Sequence, residues 1–242
     1  MIAENIAQIQ KNIVDACARA DRDPHAVTLI AVSKTHPAEA VLEAIAAGAQ
    51  HFGENRVEEA EIKIPLVNGQ ISVPITWHMI GHIQSRKAKD VVPLFGYVHS
   101  VDTLKLAAKL SAAVLDVGKK LAILLEVNVS GEESKYGFQA SAWHENAAVR
   151  AALWEEMGQM LKLPGLRVRG LMTMAPIAED MEQTRPVFSS LAQLRAALVN
   201  DFAVDLPDLS MGMTDDYPVA VEEGATLVRV GRAIFGEREM RI

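Results

Sequence analysis

The stretch "VTLIAVSKTHPAEAVLEAIAAG", residues 27–48, contains the two elements from which the fold is predicted. Its first part, Val27–Ser33, is a short apolar run rich in β-branched residues, which favours a buried strand and is too short for a buried helix. Pro37–Gly48 is predicted to be a helix, because proline favours the first turn of a helix and glycine the position just past its end. The stretch is therefore a strand followed directly by a helix.

The same alternation recurs along the chain without a repeat of sequence. The further predicted strands, each followed by a helical segment, are Gln50–Asn55, Thr76–His82, Tyr97–Val101, Leu121–Ser130, Leu166–Met174, Pro207–Met213 and Thr226–Gly231. Eight strand-helix units in about 240 residues predict an α/β protein with a single (β/α)8 barrel domain, residues 1–242. A doubly wound open sheet is the alternative, because periodicity alone does not separate the two architectures.

Three local patterns add detail to this barrel. Isoleucines at helical spacing near the start of the chain predict an extra N-terminal amphipathic helix that ends near Asp21. Asp102 follows the fourth strand and is a candidate N-cap of the next helix. A long helix is predicted around Trp143–Leu161, after the polar loop Gly131–Gln139.

Composition narrows the class of protein. The formal net charge is −7, which argues against a broad nucleic-acid surface. Cys17 is the only cysteine, so an internal disulfide is excluded and a reducing cytoplasm is expected. The chain has no run of about eighteen uncharged apolar residues, and its first twenty residues lack the pattern of a signal peptide. We therefore expect a cytoplasmic protein with no membrane span.

Polar residues follow the apolar bodies of the strands, at the end of a barrel where active sites lie. Lys34 comes after such a body and before Pro37. It can be a surface lysine whose strand ends one residue earlier. If it points inward, apolar walls lower its pKa and make the free amine a nucleophile suited to Schiff-base formation with an aldehyde.

The last two units suggest a site for an anion. "SMGMT" (Ser210–Thr214) and "VGRAIFG" (Val230–Gly236) each place a glycine between a strand and a helix start. Such turns let backbone amides approach a phosphate, and barrels often bind phosphate after strands seven and eight, although ordinary turns also use glycine. Arg229 is either a structural ion-pair partner or a fixed cation at the mouth. A Schiff-base lysine, a phosphate turn and an arginine together point to pyridoxal 5′-phosphate (PLP).

Other motifs are weaker. "HMIGH" (His78–His82) shares only its end histidines with a zinc motif, and the segment is predicted to be a strand. Asp215 and Asp216 are interpreted as helix-capping acids, and Cys17 as a packing residue. "SRKAK" (Ser85–Lys89) is interpreted as a solvated helix face, with an anionic partner as the alternative.

With these residues assembled, the sequence resembles the YggS/PROSC family of pyridoxal phosphate homeostasis proteins over nearly its whole length. The matching segments are "AVSKTHP", "HFGENRVEEA", "WHMIGHIQSRKAK", "VHSVDTLKLA", "LLEVNVSGEESKYGF", "VRGLMTMAP" and "LSMGMTDDYPVAVEEGATLVRVGRAIFGER". The resemblance implies a fold-type III PLP barrel, like the N-terminal domain of bacterial alanine racemase, with PLP held on Lys34 as an internal aldimine.

The resemblance also implies the other cofactor-binding residues. They are Asn55 near the cofactor, Ser210, Met211, Gly212 and Met213 at the phosphate together with the amides of Gly231 and Arg232, and Arg229 facing the pyridine nitrogen. Three positions depart from the family pattern: His36 replaces a frequent lysine, Thr214 a serine, and Arg232 a small hydroxyl residue.

The family implies PLP binding and vitamin B6 homeostasis without established catalysis, in a monomer that contacts PLP-requiring apoenzymes transiently. Racemase-like enzymes need a second base from an additional domain, and we expect no such domain here because few residues follow the eighth strand before Ile242. The loop tyrosines Tyr136 and Tyr217 show no sign of activation in the sequence. The alternatives are a PLP enzyme that acts weakly on amino acids and, more distantly, a cofactor-free Schiff-base aldolase.

Overall fold

The computed structural model describes residues 1–237, and its centre is a closed barrel of eight parallel strands. The strands are β1 (Thr28–Val32), β2 (His51–Glu54), β3 (Thr76–Met79), β4 (Tyr97–Val101), β5 (Leu121–Asn128), β6 (Phe138–Gln139), β7 (Leu166–Met172), β8 (Asp208–Ser210) and β9 (Leu227–Val230). All except β6 form the barrel. β1 pairs with both β2 and β9, and β4 pairs with β5, so the sheet closes. The (β/α)8 prediction is confirmed, and the open-sheet alternative is wrong.

The helices lie around the barrel. They are α1 (Ile2–Arg19), α2 (Ala38–Ala46), α3 (Val57–Asn68), α4 (Ala88–Leu94), α5 (Leu104–Asp116), α6 (Ala147–Met160), α7 (Arg185–Phe202), α8 (Tyr217–Glu222) and α9 (Arg232–Phe235). The predicted N-terminal helix is present as α1, which packs across α8 and α9. Asn5 Nδ2 donates to the Ile234 carbonyl at 2.9 Å, which joins the first helix to the last. Within residues 1–237, no helix combines the length and apolar character needed to cross a bilayer.

Side chains alternate between two cores because successive residues of a strand point to opposite faces. The larger core lies between the barrel and the helices. A smaller cluster contains Ile30, Leu124, Met172 and Leu227. Arg229 follows Leu227 at the strand period of two and is buried.

Several boundaries differ from those predicted. Thr103, not Asp102, is the N-cap of α5, and its hydroxyl accepts a hydrogen bond from the Leu106 amide. The helix predicted from Trp143 begins only at Ala147, because the Asn146 side chain caps it. β6 lies within the segment predicted as a polar loop and pairs with the end of β5. Arg238, the last residue of the matching motifs, lies outside the described residues.

Candidate functional site

The carboxyl ends of the barrel strands form one mouth, and Lys34 lies there, two residues after β1. Ser33 is fully buried, whereas Lys34 is half-buried. Thr35 has a φ of 68°, a left-handed backbone conformation that costs a β-branched residue on the order of 1 kcal/mol. The chain is therefore strained immediately after the lysine, and surrounding contacts must hold it in that conformation.

Those contacts come from a buried lysine network, formed by Ser33, Glu54, Glu59 and Lys63. Lys63 Nζ donates to the Ser33 carbonyl at 2.8 Å, to Glu54 Oε1 at 2.8 Å and to Glu59 Oε1 at 2.7 Å. The Ser33 hydroxyl donates to Glu54 Oε1 at 2.6 Å. Glu59 Oε1 also accepts the amide of Thr35 at 2.6 Å. The network thus fixes the residues on both sides of Lys34.

Glu54 carries the largest electrostatic cost in this network. It is fully buried, and its Oε2 has no hydrogen-bond partner among the described residues. Burial raises the pKa of the Glu54 carboxyl, while the charge of Lys63 and the hydrogen bonds from Lys63 and Ser33 lower it. Lys63 is therefore the counter-charge that keeps a carboxylate beneath the mouth.

Arg229 and Ser210 lie together on the β8 and β9 side of the mouth. Arg229 Nη1 donates to Ser210 Oγ at 2.5 Å, and Nη2 donates to the Thr173 carbonyl at 3.1 Å. Burial lowers the pKa of Arg229 to about 10, an effect opposed by the negative charges of Glu126 and Asp216. Arg229 thus stays a cation at neutral pH, held in one orientation.

The two glycine turns are joined to each other and to the loop of Lys34. The Arg229 amide donates to the Gly212 carbonyl at 3.0 Å, which fixes the first turn against β9. A Cβ on Gly231 would lie 3.1 Å from the Val32 carbonyl, so the second turn packs against the end of β1. His36 stacks on Phe235, with 5.0 Å between ring centroids. These contacts bring both predicted phosphate turns beside the lysine loop.

Gly212 is required by the conformation of the first turn. Its φ is 89°, and a Cβ there would lie 2.6 Å from Ala220 Cβ and 2.9 Å from Tyr217 Cα. The Met213 amide donates to Asp216 Oδ1 at 2.6 Å. Asp216 is predicted from the sequence to cap a helix. It occupies the N-cap position of α8, but its carboxylate caps the turn before the helix and not the helix itself. Met211 is buried in the core, and Met213 is partly exposed.

The side chain of Arg232 has an acidic partner, Asp215. Its guanidinium forms an ion pair with Asp215, and both side chains are more than half exposed. The charge added at this family departure is therefore partly neutralised on the surface. Its backbone amide begins α9 beside Gly231, at the position for which the family resemblance implies a phosphate contact.

Asn55 lies at the end of β2, on the other side of Lys34 from the glycine turns. Its backbone packs so closely on Gly81 that a Cβ there would lie 2.2 Å from the Asn55 carbonyl oxygen. Asn55 lines a cavity of about 190 Å³ together with Met79 and His82. Lys34, Asn55 and the two glycine turns therefore lie at the carboxyl ends of the strands, and the cavity is on the β2 and β3 side.

A chain of three histidines crosses the barrel interior and ends at Ser210. His51 Nδ1 and His78 Nε2 are 3.0 Å apart, and His78 Nδ1 and His99 Nε2 are 2.9 Å apart. His99 Nδ1 lies 2.8 Å from Ser210 Oγ. Burial lowers the pKa of all three histidines, that of His78 to about 3. They are thus neutral at pH 7 and support Ser210, and through it Arg229, from within the barrel.

The two histidines of "HMIGH" have separate environments. Both ring nitrogens of His78 are engaged in the histidine chain, whereas His82 Nδ1 lies 3.1 Å from Asp102 Oδ2 at the mouth. Tyr136 stacks on His82, with 4.1 Å between ring centroids. The described residues contain no group of three or more His, Cys, Asp or Glu side chains that could hold a metal. Cys17 lies on the buried face of α1.

Sequence reasoning missed three features of the site: the lysine network, the histidine chain and the His82–Asp102 pair. A signal for the first exists in "GEN", where Glu54 ends an apolar strand and must be buried if the strand is inside a barrel. The other two depend on distances between strands, for which the sequence contains no local signal.

Comparison with known proteins agrees with this geometry. The family model for the N-terminal domain of alanine racemase matches residues 5–239, which defines the class of barrel. The pyridoxal phosphate homeostasis protein of Pseudomonas aeruginosa is 45% identical over 239 residues, covering 98% of this chain and 96% of that protein. The homologue of the same name from Escherichia coli K12 is 39% identical over 239 residues, covering 98% and 97%. The chain belongs to the YggS/PROSC family of pyridoxal phosphate homeostasis proteins.

Solved structures show the same relationship. PipY of Synechococcus elongatus, determined without PLP, superposes with a TM-score of 0.83 at 37% identity, covering 98% of this chain and 100% of PipY. PipY with PLP bound gives a TM-score of 0.82. Alanine racemase of Clostridium difficile shares the fold at 15% identity, with a TM-score of 0.68, and this chain covers 57% of it.

Proposed function

We propose that this protein binds PLP at the barrel mouth as a Schiff base on Lys34 and holds it for intracellular PLP homeostasis, without catalysing a reaction. The observation that carries the proposal is the junction of the two glycine turns with the lysine loop, through Gly231 on Val32 and His36 on Phe235. Homologues named for PLP homeostasis and a PLP-bound PipY support the choice of cofactor.

The residues at the mouth fit PLP chemically. A cofactor that is both an aldehyde and a phosphate ester needs an amine, a set of anion donors and a partner for its ring nitrogen. Lys34 supplies the amine, and the amides of Gly212, Gly231 and Arg232 in the two glycine turns are the anion donors. The amides of Met211 and Met213 already donate within the protein, to the Leu227 carbonyl and to Asp216 Oδ1. Gly231 lets the second turn pack against the end of β1, because a Cβ there would lie 3.1 Å from the Val32 carbonyl oxygen. When bound, PLP supplies an electrophilic aldehyde and a conjugated ring that accepts electrons.

Each part of the site has a defined task in this proposal. The lysine network holds the backbone on both sides of Lys34, and Asn55 borders the cofactor space from β2. Arg229, held by Ser210 and the Thr173 carbonyl, faces the pyridine nitrogen as a hydrogen-bond donor. A guanidinium does not give up its proton to a pyridine, because its pKa remains far above that of the ring. With Arg229 as its partner, the ring of bound PLP would be a weaker electron sink than with a carboxylate partner.

Two of the three tyrosines, Tyr97 and Tyr217, support the non-catalytic assignment. Tyr217 is buried, its hydroxyl accepts a hydrogen bond from Asn12 Nδ2 at 2.8 Å, and burial raises its pKa. It therefore faces α1 rather than the mouth. The Tyr97 hydroxyl donates to Asp208 Oδ2 at 2.5 Å near the start of β8, and burial raises its pKa also. Neither residue is available as a second base at the mouth.

One observation favours the alternative of weak PLP-dependent catalysis on amino acids. Asp102 is buried and lies at Nδ1 of His82, so Nε2 of the same ring is left as a base. Exchange of the amino-acid α-proton with solvent at roughly 1 per second or faster would show enzymatic turnover and overturn the carrier assignment. Under the carrier assignment, exchange stays far below that rate and is unchanged by His82→Gln.

The test of the Schiff base uses absorbance and covalent trapping. Purified protein titrated with PLP should develop the visible band of a protonated imine, and borohydride reduction should fix the cofactor on the peptide that contains Lys34. Lys34→Ala should lose both signals. Lys11→Ala, which removes an exposed lysine of α1, should keep them. Trapping on another lysine, or an unchanged band in Lys34→Ala, would refute the assignment.

The remaining expectations belong to the same proposal. The protein acts as a monomeric single domain in the cytoplasm and passes PLP to apoenzymes through transient contacts. Light scattering after size exclusion tests the oligomeric state, with a mass near 26.3 kDa expected. A mass twice as large at micromolar concentration would refute the monomer.

A further inference from the structure

A basic groove lies beside the mouth, between α4 and α5. Its volume is about 700 Å³, and it is lined by the cations Arg86, Lys89, Lys105 and Lys109. Asp116 is the single carboxylate along it. The groove therefore has a charge excess of three in a chain whose formal net charge is −7.

The charges of the groove are poorly neutralised by the protein itself. Lys89 Nζ lies 3.5 Å from Asp116 Oδ2, and both side chains are more than half exposed, so this pair contributes little. Within residues 1–237, no carboxylate lies within 4 Å of Arg86, Lys105 or Lys109. Lys105 and Lys109 are four residues apart on α5, so their like charges repel each other across one turn of the helix. An anion in the groove would relieve this repulsion.

The groove is adjacent to the proposed cofactor site. Gln84 and Arg86 line both the groove and the smaller cavity that contains Asn55 and His82. The Arg86 guanidinium accordingly stands between the two, held by a hydrogen bond from its Nε to Gln84 Oε1 at 2.9 Å. An anion bound in the groove is thus separated from the mouth by one side chain.

The lining favours a phosphate monoester over a nucleic acid. Arginine binds phosphate oxygens in a bidentate fashion, and lysines add point charges around them. A volume of this size is typical of small-molecule sites. None of the described residues that line the groove is aromatic, so no side chain there offers a face on which a base could stack.

We propose that the basic groove is a low-affinity site for phosphate monoesters, from which PLP enters the mouth. The proposal rests on PLP binding at Lys34. In this proposal, the local positive field raises the concentration of a doubly charged phosphate ester beside the mouth of an acidic protein. Such steering acts on association rates and is screened by salt.

The kinetic test compares two double charge reversals with the same change in net charge. Lys105→Glu/Lys109→Glu alters the groove, whereas Lys119→Glu/Lys120→Glu alters exposed lysines just before β5, at the opposite end of the barrel. At low ionic strength we expect PLP association to slow roughly threefold to tenfold more in the groove variant than in the control. The difference should shrink above roughly 0.3 M salt, and dissociation rates should match. Pyridoxal, which lacks the phosphate, should associate equally fast with both.

A second measurement tests the groove independently of Lys34. Inorganic phosphate added to Lys34→Ala should shift the amide resonances of residues 86–89 and 105–109 in a saturable way, and the groove variant should lose these shifts. Equal PLP association rates in the two double variants, or phosphate shifts spread evenly over the surface lysines, would overturn the proposal. If the Schiff base is absent but the phosphate shifts remain, PLP binding at Lys34 fails while the groove stands as a site for another phosphate monoester.

Discussion

Replacement of Lys63 by methionine tests whether a buried charge pair supports the loop of Lys34. Lys63 and Glu54 are almost completely buried, and their charged atoms are 2.8 Å apart. Methionine retains most of the apolar stem but removes the charge and the three hydrogen bonds that Nζ donates. Glu59 is partly exposed and can be rehydrated. Glu54 is fully buried, so water cannot rehydrate it, and one of its oxygens already has no hydrogen-bond partner among the described residues.

The expected loss follows from this difference. Breaking a buried pair by removal of one partner costs about 3–5 kcal/mol of unfolding free energy, mainly because the other charge stays buried. Lys63→Met should lose that amount at pH 8, measured by urea denaturation. Adding Glu54→Gln removes the orphaned charge at nearly constant shape and should restore about 1–2 kcal/mol. Lys11→Met, which breaks an exposed pair with Asp15, should cost at most about 0.5 kcal/mol.

The pH dependence gives a second criterion. Burial raises the pKa of Glu54 in the folded state, and without Lys63 nothing nearby of opposite charge lowers it. A folded carboxyl with a raised pKa holds its proton where the unfolded chain has lost it. Its contribution to stability is therefore complete at low pH and is lost as the pH rises through the folded value. The deficit of Lys63→Met should be smaller at pH 5 than at pH 8. A loss below about 1 kcal/mol, or an equal deficit at both pH values, would refute this reasoning.

Three further predictions concern the turns and the barrel interior. Gly212→Ala should lower the free energy of unfolding, measured by urea denaturation, by about 1–3 kcal/mol more than Gly48→Ala. Both glycines have a positive φ, but of the two only Gly212 lacks room for a Cβ. Equal losses would contradict the steric argument. Burial lowers the pKa of His78 to about 3. Below pH 6.5 the unfolded chain therefore binds a proton at His78 that the folded protein does not bind, and the free energy of unfolding should fall as the pH drops. His78→Gln should flatten this decline by about 1.4 kcal/mol per pH unit, and an unchanged slope would show that His78 is not the group responsible. Arg232→Ser should change the PLP dissociation constant, measured by equilibrium dialysis, less than roughly threefold because Asp215 already pairs with the guanidinium; a tenfold change would place its charge at the phosphate.

The barrel could be predicted because its evidence is local. Each strand-helix unit, such as residues 27–48, contains its own apolar run, proline and glycine, and eight such units suffice to suggest the class. Closure of the barrel could not be predicted from local patterns, because it depends on the pairing of β1 with β9, and these strands are separated by nearly the whole chain. The predicted helix starts were wrong where a neighbouring residue caps the helix. Thr103, for example, caps α5 in place of Asp102.

The residues of the site also fall into two groups, those that the sequence indicates and those that only the structure identifies. Lys34, Ser210 and Arg229 could be singled out because each is a polar residue at the end of an apolar strand. Lys63 could not, because with Glu59 it has the spacing of an ordinary exposed helix pair. Only the alignment of Val32 with Gly53 places Glu54 at the level of Ser33, so that Lys63 can reach both. The one local signal of this network is Glu54 at the end of an apolar strand, and its partners can be identified only from the way the three elements pack.

The positions of these networks indicate how the mouth keeps its geometry. On one side, the lysine network fixes Ser33 and Thr35, the two neighbours of Lys34. On the other side, the histidine chain supports Ser210 and thereby Arg229. Both networks are buried, so neither relies on solvent or on the cofactor to remain in place. Under the proposed function, the mouth is thus ordered before the ligand attaches at Lys34, and it stays ordered after the ligand leaves. Such a site suits a protein that must bind and release the same molecule repeatedly.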